Sequence, residues 1–128
     1  MDAIQRRELL RPTANPGSGR DYVITLRGKL LNTRPPLTAT VVLRYVPDRQ
    51  ILEPANFESY LEEIAKLEWL SLEAIANAIL IDTGNELVAR WTQVTLRDEL
   101  GARNHEIAME DHQPGWFNED LLYRLPPV

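Results

Sequence analysis

Thr38–Leu61, TATVVLRYVPDRQILEPANFESYL, joins a β-branched run, a proline-marked turn, a lone carboxylate and the start of a helix. The run Leu37 to Pro47 has the composition of a packed strand. Past the turn, Asn56 is a plausible N-cap, and Phe57, Tyr60, Leu61 and Ile64 follow at the spacing of one helix face.

Working back from this stretch, Tyr22, Ile24 and Leu26 alternate with Thr25, Arg27 and Lys29, the period of a half-buried strand. Asn32-Thr33-Arg34-Pro35-Pro36 turns the chain, and its two prolines have no N–H to donate to a ladder. The two strands therefore read as an antiparallel hairpin. Before them, residues 1–19 hold only Ile4, Leu9 and Leu10 as an amphipathic scrap, then PTANPGSG, a composition that suits a flexible N-terminal arm.

Working forward, Ser71 caps a second helix whose Leu72, Ile75, Ala76, Ile79 and Leu80 form an apolar stripe, with Gly84 as its left-handed stop. A strand over Glu86 to Arg97 and a weaker one around Asn104 to Glu110 close the pattern. The order is ββααββ, an α+β fold with a four-stranded antiparallel sheet and both helices on one face. Such a sheet leaves its other face and its edges in need of cover. The chain divides into an arm over 1–19, a domain over 20–111, and a tail over 112–128. In that tail Trp116, Phe117, Leu121, Leu122 and Tyr123 should dock on the same domain or a neighbour.

Composition narrows the function classes. A chain of 128 residues with 44% hydrophobic and 26% charged residues fits one globular domain. A net charge of −5 with no Lys/Arg run argues against nucleic acid, which is bound through a basic face. No apolar stretch reaches bilayer length and the start MDAIQRRELL lacks the core of a signal peptide, so no membrane partner and a cytoplasmic location are expected. The absence of cysteine removes disulfides, thiolate metal sites and thiol catalysis together. With only His105 and His112, a zinc site would have to lean on carboxylates, and no metal is expected.

Tyr45-Val46-Pro47-Asp48 and Leu52-Glu53-Pro54 through Tyr60-Leu61 resemble a segment of the NADPH-dependent 7-cyano-7-deazaguanine reductases, the nitrile reductases of queuosine biosynthesis. Asn15-Pro16 with Arg20 to Ile24, Ser71-Leu72-Glu73, Trp91 to Arg97, and Gln113-Pro114-Gly115 match further family motifs in the same order. The resemblance implies the tunnelling fold, shared with GTP cyclohydrolases I, pyruvoyl-tetrahydropterin synthases and urate oxidase. In that fold sheets from several subunits join into a barrel. It therefore implies a homo-oligomer built through sheet edges, with sites where subunits meet.

The same resemblance places Leu30 at the family's nucleophile and Leu37 at its proton donor. Nitrile reduction there needs a thiolate, an acid and hydride from NADPH, and leucine supplies neither of the first two. The cofactor motifs are eroded as well. The segment Pro54 to Glu58 lacks the family's two lysines, and Leu96-Arg97-Asp98-Glu99 lacks its glycines, so no cofactor is expected and Arg97 is only a weak candidate. Three acids stand where phosphates would sit.

Glu73 is the leading substrate-binding candidate. The resemblance gives it the guanine-like edge of the substrate, where a carboxylate accepts two parallel N–H bonds. Two residues after a helix cap, an acid also gains roughly 0.3–1 kcal/mol from the helix dipole, a purely structural reason for its presence. Glu53 is the second candidate, and a solvated turn residue is its competing account. His105 and His112 sit in no motif and read as surface or interface residues, while Trp91 reads as sheet packing. The expectation is a catalytically degenerate homologue that binds a purine- or pterin-like small molecule or acts structurally. The alternative is an enzyme using Glu53, Glu73 or His105 for non-covalent acid/base chemistry on a deazapurine or pterin.

Overall fold

A computed structural model describes residues Met1–Val128. Its elements in chain order are α1 (Ala3–Glu8), β1 (Thr13–Ala14), β2 (Ile24–Leu30), β3 (Ala39–Val46), β4 (Gln50–Ile51), α2 (Pro54–Lys66), α3 (Leu72–Leu87), β5 (Trp91–Asp98), β6 (His105–His112) and α4 (Glu119–Tyr123). The sheet is antiparallel in the order β2-β3-β5-β6, and β1 pairs separately with β4. Without the short pieces the order is ββααββ, as the hydrophobic periods indicate.

Register fixes which side chains meet the helices. Leu26, Leu43, Val94 and Met109 stand in one row across the sheet, and Val41, Leu96 and Ile107 in the next. These pack with Phe57, Tyr60, Leu61 and Ile64 of α2 and Ile75, Ala76 and Ile79 of α3 in one core. The alternate residues, among them Arg27, Val42, Thr95 and Ala108, face the other way.

Helix ends depart from the sequence expectation at two places. Helix α2 starts at Pro54, with Glu53 rather than Asn56 as its N-cap. Proline's preset φ and missing N–H suit the first helical position, where that N–H would lack a partner. Helix α3 is capped as expected, Ser71 Oγ accepting from the Ala74 N–H at 3.1 Å. It nevertheless runs through Gly84 to Leu87, and Val88 takes the left-handed position with φ 45°. Leu87 is buried in the core, and its packing outweighs the glycine's preference for a stop. Consequently Glu86 to Arg90 is not strand, and β5 begins at Trp91.

The expected flexible arm over 1–19 is instead docked. Asp82 of α3 is fully buried, and it accepts from Arg6 Nε at 2.9 Å, Arg7 Nε at 3.4 Å and the Tyr60 hydroxyl at 2.6 Å. The Asp82 hydrogen bond raises the Arg6 pKa. Leu10 is fully buried in the core, and Thr13 pairs with Ile51. A buried carboxylate needs charged partners, and they lie some 75 residues away in sequence, beyond any local pattern.

The tail docks on its own chain. Trp116 Nε1 and Asn118 Nδ2 donate to Asp21 at 3.2 and 2.9 Å. Farther on, Arg44 Nη1 donates to the Pro126 carbonyl at 2.7 Å from the sheet face opposite the helices. On that face Trp91 is buried, donates to Glu110 at 2.8 Å and lies under the Arg44 guanidinium. No helix is long and apolar enough to cross a membrane.

Candidate functional site

The β2–β3 and α2–α3 connections lie together at one end of the sheet and enclose a cleft of about 70 Å³. Leu30, Leu37 and Leu72 all line it, with Ile64, Trp69 and Leu70. Leu30 is 1% exposed and Leu72 6%, so both are core residues whose edges reach the cleft. The walls are locally braced. Thr33 Oγ1 accepts from the Leu37 N–H at 2.8 Å, and Trp69 Nε1 donates at 2.8 Å to the Ile64 carbonyl, which also accepts from the Leu67 N–H at the end of α2.

Leu30 and Leu37, either side of the β2–β3 connection, thus converge with the distant Leu72, and all three are apolar. The cleft offers no thiol, acid or imidazole to a substrate. Its volume holds about two waters, against the roughly 300 Å³ or more of a drug-sized ligand pocket. The cleft of a single chain is therefore too small to enclose a purine.

Glu73 stands beside this cleft, one residue beyond Leu72 on the second helical position of α3. Its Oε2 lies 3.3 Å from His105 Nε2, with the two side chains 54% and 47% exposed. Next to His105, Asp98 is buried, accepts from the Thr38 N–H at 3.1 Å and meets Arg103 at 3.3 Å. Glu73 and His105 are far apart in the sequence. Their contact needs the β5–β6 turn to return beside the start of α3, which no local pattern reveals.

The other candidates lie apart. Glu53 is exposed, makes no side-chain cap bond, and lines neither this cleft nor the larger depression of about 950 Å³ along the β2 edge. That depression contains Arg97, whose Nε donates to Glu106 at 2.6 Å and which lies 3.9 Å from Glu99. Its charge is already matched. Of the remaining positions aligned with cofactor motifs, Phe57 and Leu96 are buried in the core and Asp98 is engaged with Arg103. These side chains do not fit a dinucleotide phosphate. His112 is at the far end of β6, roughly 23 Å from His105 at strand rise, and its Nδ1 meets the Gln113 carbonyl.

A polar network went unread in the sequence. Arg90 bridges Asp21 at 3.1 Å and Asp48 at 3.3 Å, and Gln113 Nε2 donates to Asp48 at 3.0 Å. It ties the start of the tail to the turns after β3 and before β2. Asp48, directly after Pro47, was the one legible hint, since a turn acid often binds neighbouring groups.

No protein-family model matches the chain. Among curated proteins, an NADPH-dependent 7-cyano-7-deazaguanine reductase of Acidithiobacillus ferrooxidans is 31% identical over 134 aligned positions, covering 100% of this chain and 94% of the relative. The reductase of Nitrosococcus oceani is 31% identical over 132, covering 98% of this chain and 100% of the relative. That of Syntrophus aciditrophicus is 30% identical over 103, covering 76% of this chain and 73% of the relative. Near-complete coverage at this identity agrees with the motif order along the chain, and the chain belongs to the family of the NADPH-dependent 7-cyano-7-deazaguanine reductases.

Proposed function

We propose that this chain is a member of the reductase family that does not reduce nitriles, and that it serves as an oligomeric binding or structural protein for a purine- or pterin-like ligand held by Glu73. The observation carrying this reading is the convergence of Leu30, Leu37 and Leu72 on one apolar cleft. A thioimide route needs a thiolate at the nitrile carbon and an acid at its nitrogen. The chain has no cysteine anywhere. With Arg97 paired to Glu106 and two acids, Asp98 and Glu99, following it, binding of NADPH is also unsupported.

Assembly belongs to the same reading. Strands β2 and β6 are the free edges of the sheet. On the face away from the helices β2 carries Arg27 and Lys29, and β6 carries Glu106 and Glu110. Joining β2 of one copy to β6 of the next sets opposite charges side by side and removes both edges, the closure expected of a tunnelling-fold barrel.

A second reading, non-covalent acid/base chemistry on a deazapurine or pterin, is favoured by one observation. Glu73 and His105 form a water-accessible carboxylate–imidazole pair at 3.3 Å.

A thermal-shift and calorimetric screen with guanine, 7-deazaguanines, pterins and NADPH tests the first reading, since a ligand of the native state raises its melting temperature. Guanine-like compounds should stabilise the wild type and not Glu73→Ala, and NADPH should do nothing. No response to any compound removes the ligand and leaves assembly alone. NADPH consumption dependent on 7-cyano-7-deazaguanine would overturn the proposal outright.

A further inference from the structure

The Glu73 carboxylate is not bare in the free chain. His105, the first residue of β6, faces α3 from the helix side of the sheet and sets its Nε2 3.3 Å from Glu73 Oε2. The other charged groups around this imidazole are engaged elsewhere. Asp98, opposite it on β5, is held by Arg103 and by the Thr38 N–H. Glu106 projects to the other face, where Arg97 binds it, and Glu99 lies on Arg97 as well. Glu73 is the acid that His105 meets.

Resting on the reading of Glu73 as a ligand carboxylate, we propose that His105 is its internal competitor. A ligand must displace the imidazole, and the site therefore selects compounds presenting two parallel N–H donors. His105 meets this carboxylate through one ring nitrogen at ion-pair distance, without hydrogen-bond geometry, and carries a positive charge only when protonated. The edge of a guanine offers two N–H groups spaced to match both carboxylate oxygens. One donor alone, as on a hypoxanthine, leaves the exchange without gain. Because the imidazole attracts this carboxylate as a cation only when protonated, the competition strengthens as pH falls. Both side chains are about half exposed, so solvent limits the effect to no more than about fivefold in Kd.

The test is calorimetric titration of the full chain with 7-deazaguanine at about pH 5.5 and about pH 8. The comparison is between wild type, His105→Ala and His105→Asn. The wild type is expected to bind more weakly at the lower pH by up to about fivefold, while both variants bind equally at the two pH values. His105 is half exposed at a sheet edge, so at least one of these variants should melt within a few degrees of wild type. Equal wild-type binding at both pH values, or the same pH dependence in the variants, overturns the competition and leaves base binding intact. Failure of wild type and variants alike to bind at either pH removes the base-binding reading and this inference with it.

Discussion

The Tyr60 hydroxyl donates to the Asp82 carboxylate at 2.6 Å across the contact of α2 and α3, with both residues fully buried. This bond links the two helices and orients the acid toward Arg6 and Arg7 of α1. Three helices thus share one charged centre inside the fold.

Removing Asp82 leaves two arginines and a phenol without their partner. Asp82→Ala is expected to cost about 3–5 kcal/mol in urea denaturation, the range for breaking a buried charge pair from one side. Arg6→Ala should cost less, because its side chain keeps 15% of its exposure. A change under about 1 kcal/mol for Asp82→Ala would show that α1 is not held through this centre.

Alkaline pH should unfold the protein earlier than its carboxylates suggest. Burial pushes the Tyr45 phenol up to about 12, and burial reinforced by Asp82 pushes Tyr60 higher still. The folded chain therefore keeps protons that the unfolded chain releases near pH 10. This stability is fully present below about pH 10 and is lost as pH rises through the folded values, with Tyr45 alone contributing roughly 2–3 kcal/mol. Melting temperatures between about pH 8 and pH 11.5 should fall, and tyrosinate absorbance from Tyr45 and Tyr60 should appear only with unfolding. Early ionisation of all four tyrosines in the native state would contradict the burial account.

Leu61 of α2 packs directly against Gly28 of β2. A Cβ at this position would stand 2.4 Å from Leu61 Cδ1. Gly28→Ala is expected to destabilise by about 1–3 kcal/mol, toward the low end because Leu61 can rotate away. The pair Gly28→Ala with Leu61→Ala should be non-additive in a double-mutant cycle. Strict additivity would place the strain elsewhere.

Tail docking has its own readout. Asp21→Ala removes the acceptor of both Trp116 and Asn118, and Arg44→Ala removes the donor to Pro126. Each variant should increase proteolytic cleavage after residue 115 with little change in global stability, since a low-stability segment opens locally. Unchanged cleavage in both would mean that apolar contact, rather than these bonds, holds the tail.

The hairpin, both helices and the strand after them were legible because each rests on a local period. Tyr22, Ile24 and Leu26 alternate; Phe57, Tyr60, Leu61 and Ile64 recur every three or four residues; Ser71 opens α3. Helix ends were less legible, since Pro54 and Leu87 shifted them through a preset dihedral and a buried contact. The family was legible too, through motifs kept in order along the chain, and the relatives bear it out.

Long-range pairing was not legible. Nothing near Asp82 announces Arg6, nothing near Asp21 announces Trp116, and nothing near Glu73 announces His105. Local order follows from period, caps and turn residues, which act over a few positions. Where a buried charge finds its partners, what lies on the second face of the sheet, and which side chains meet at the cleft depend on how whole elements pack. In this chain packing turned an expected mobile arm into a buried anchor and joined Leu30, Leu37 and Leu72 into one apolar surface.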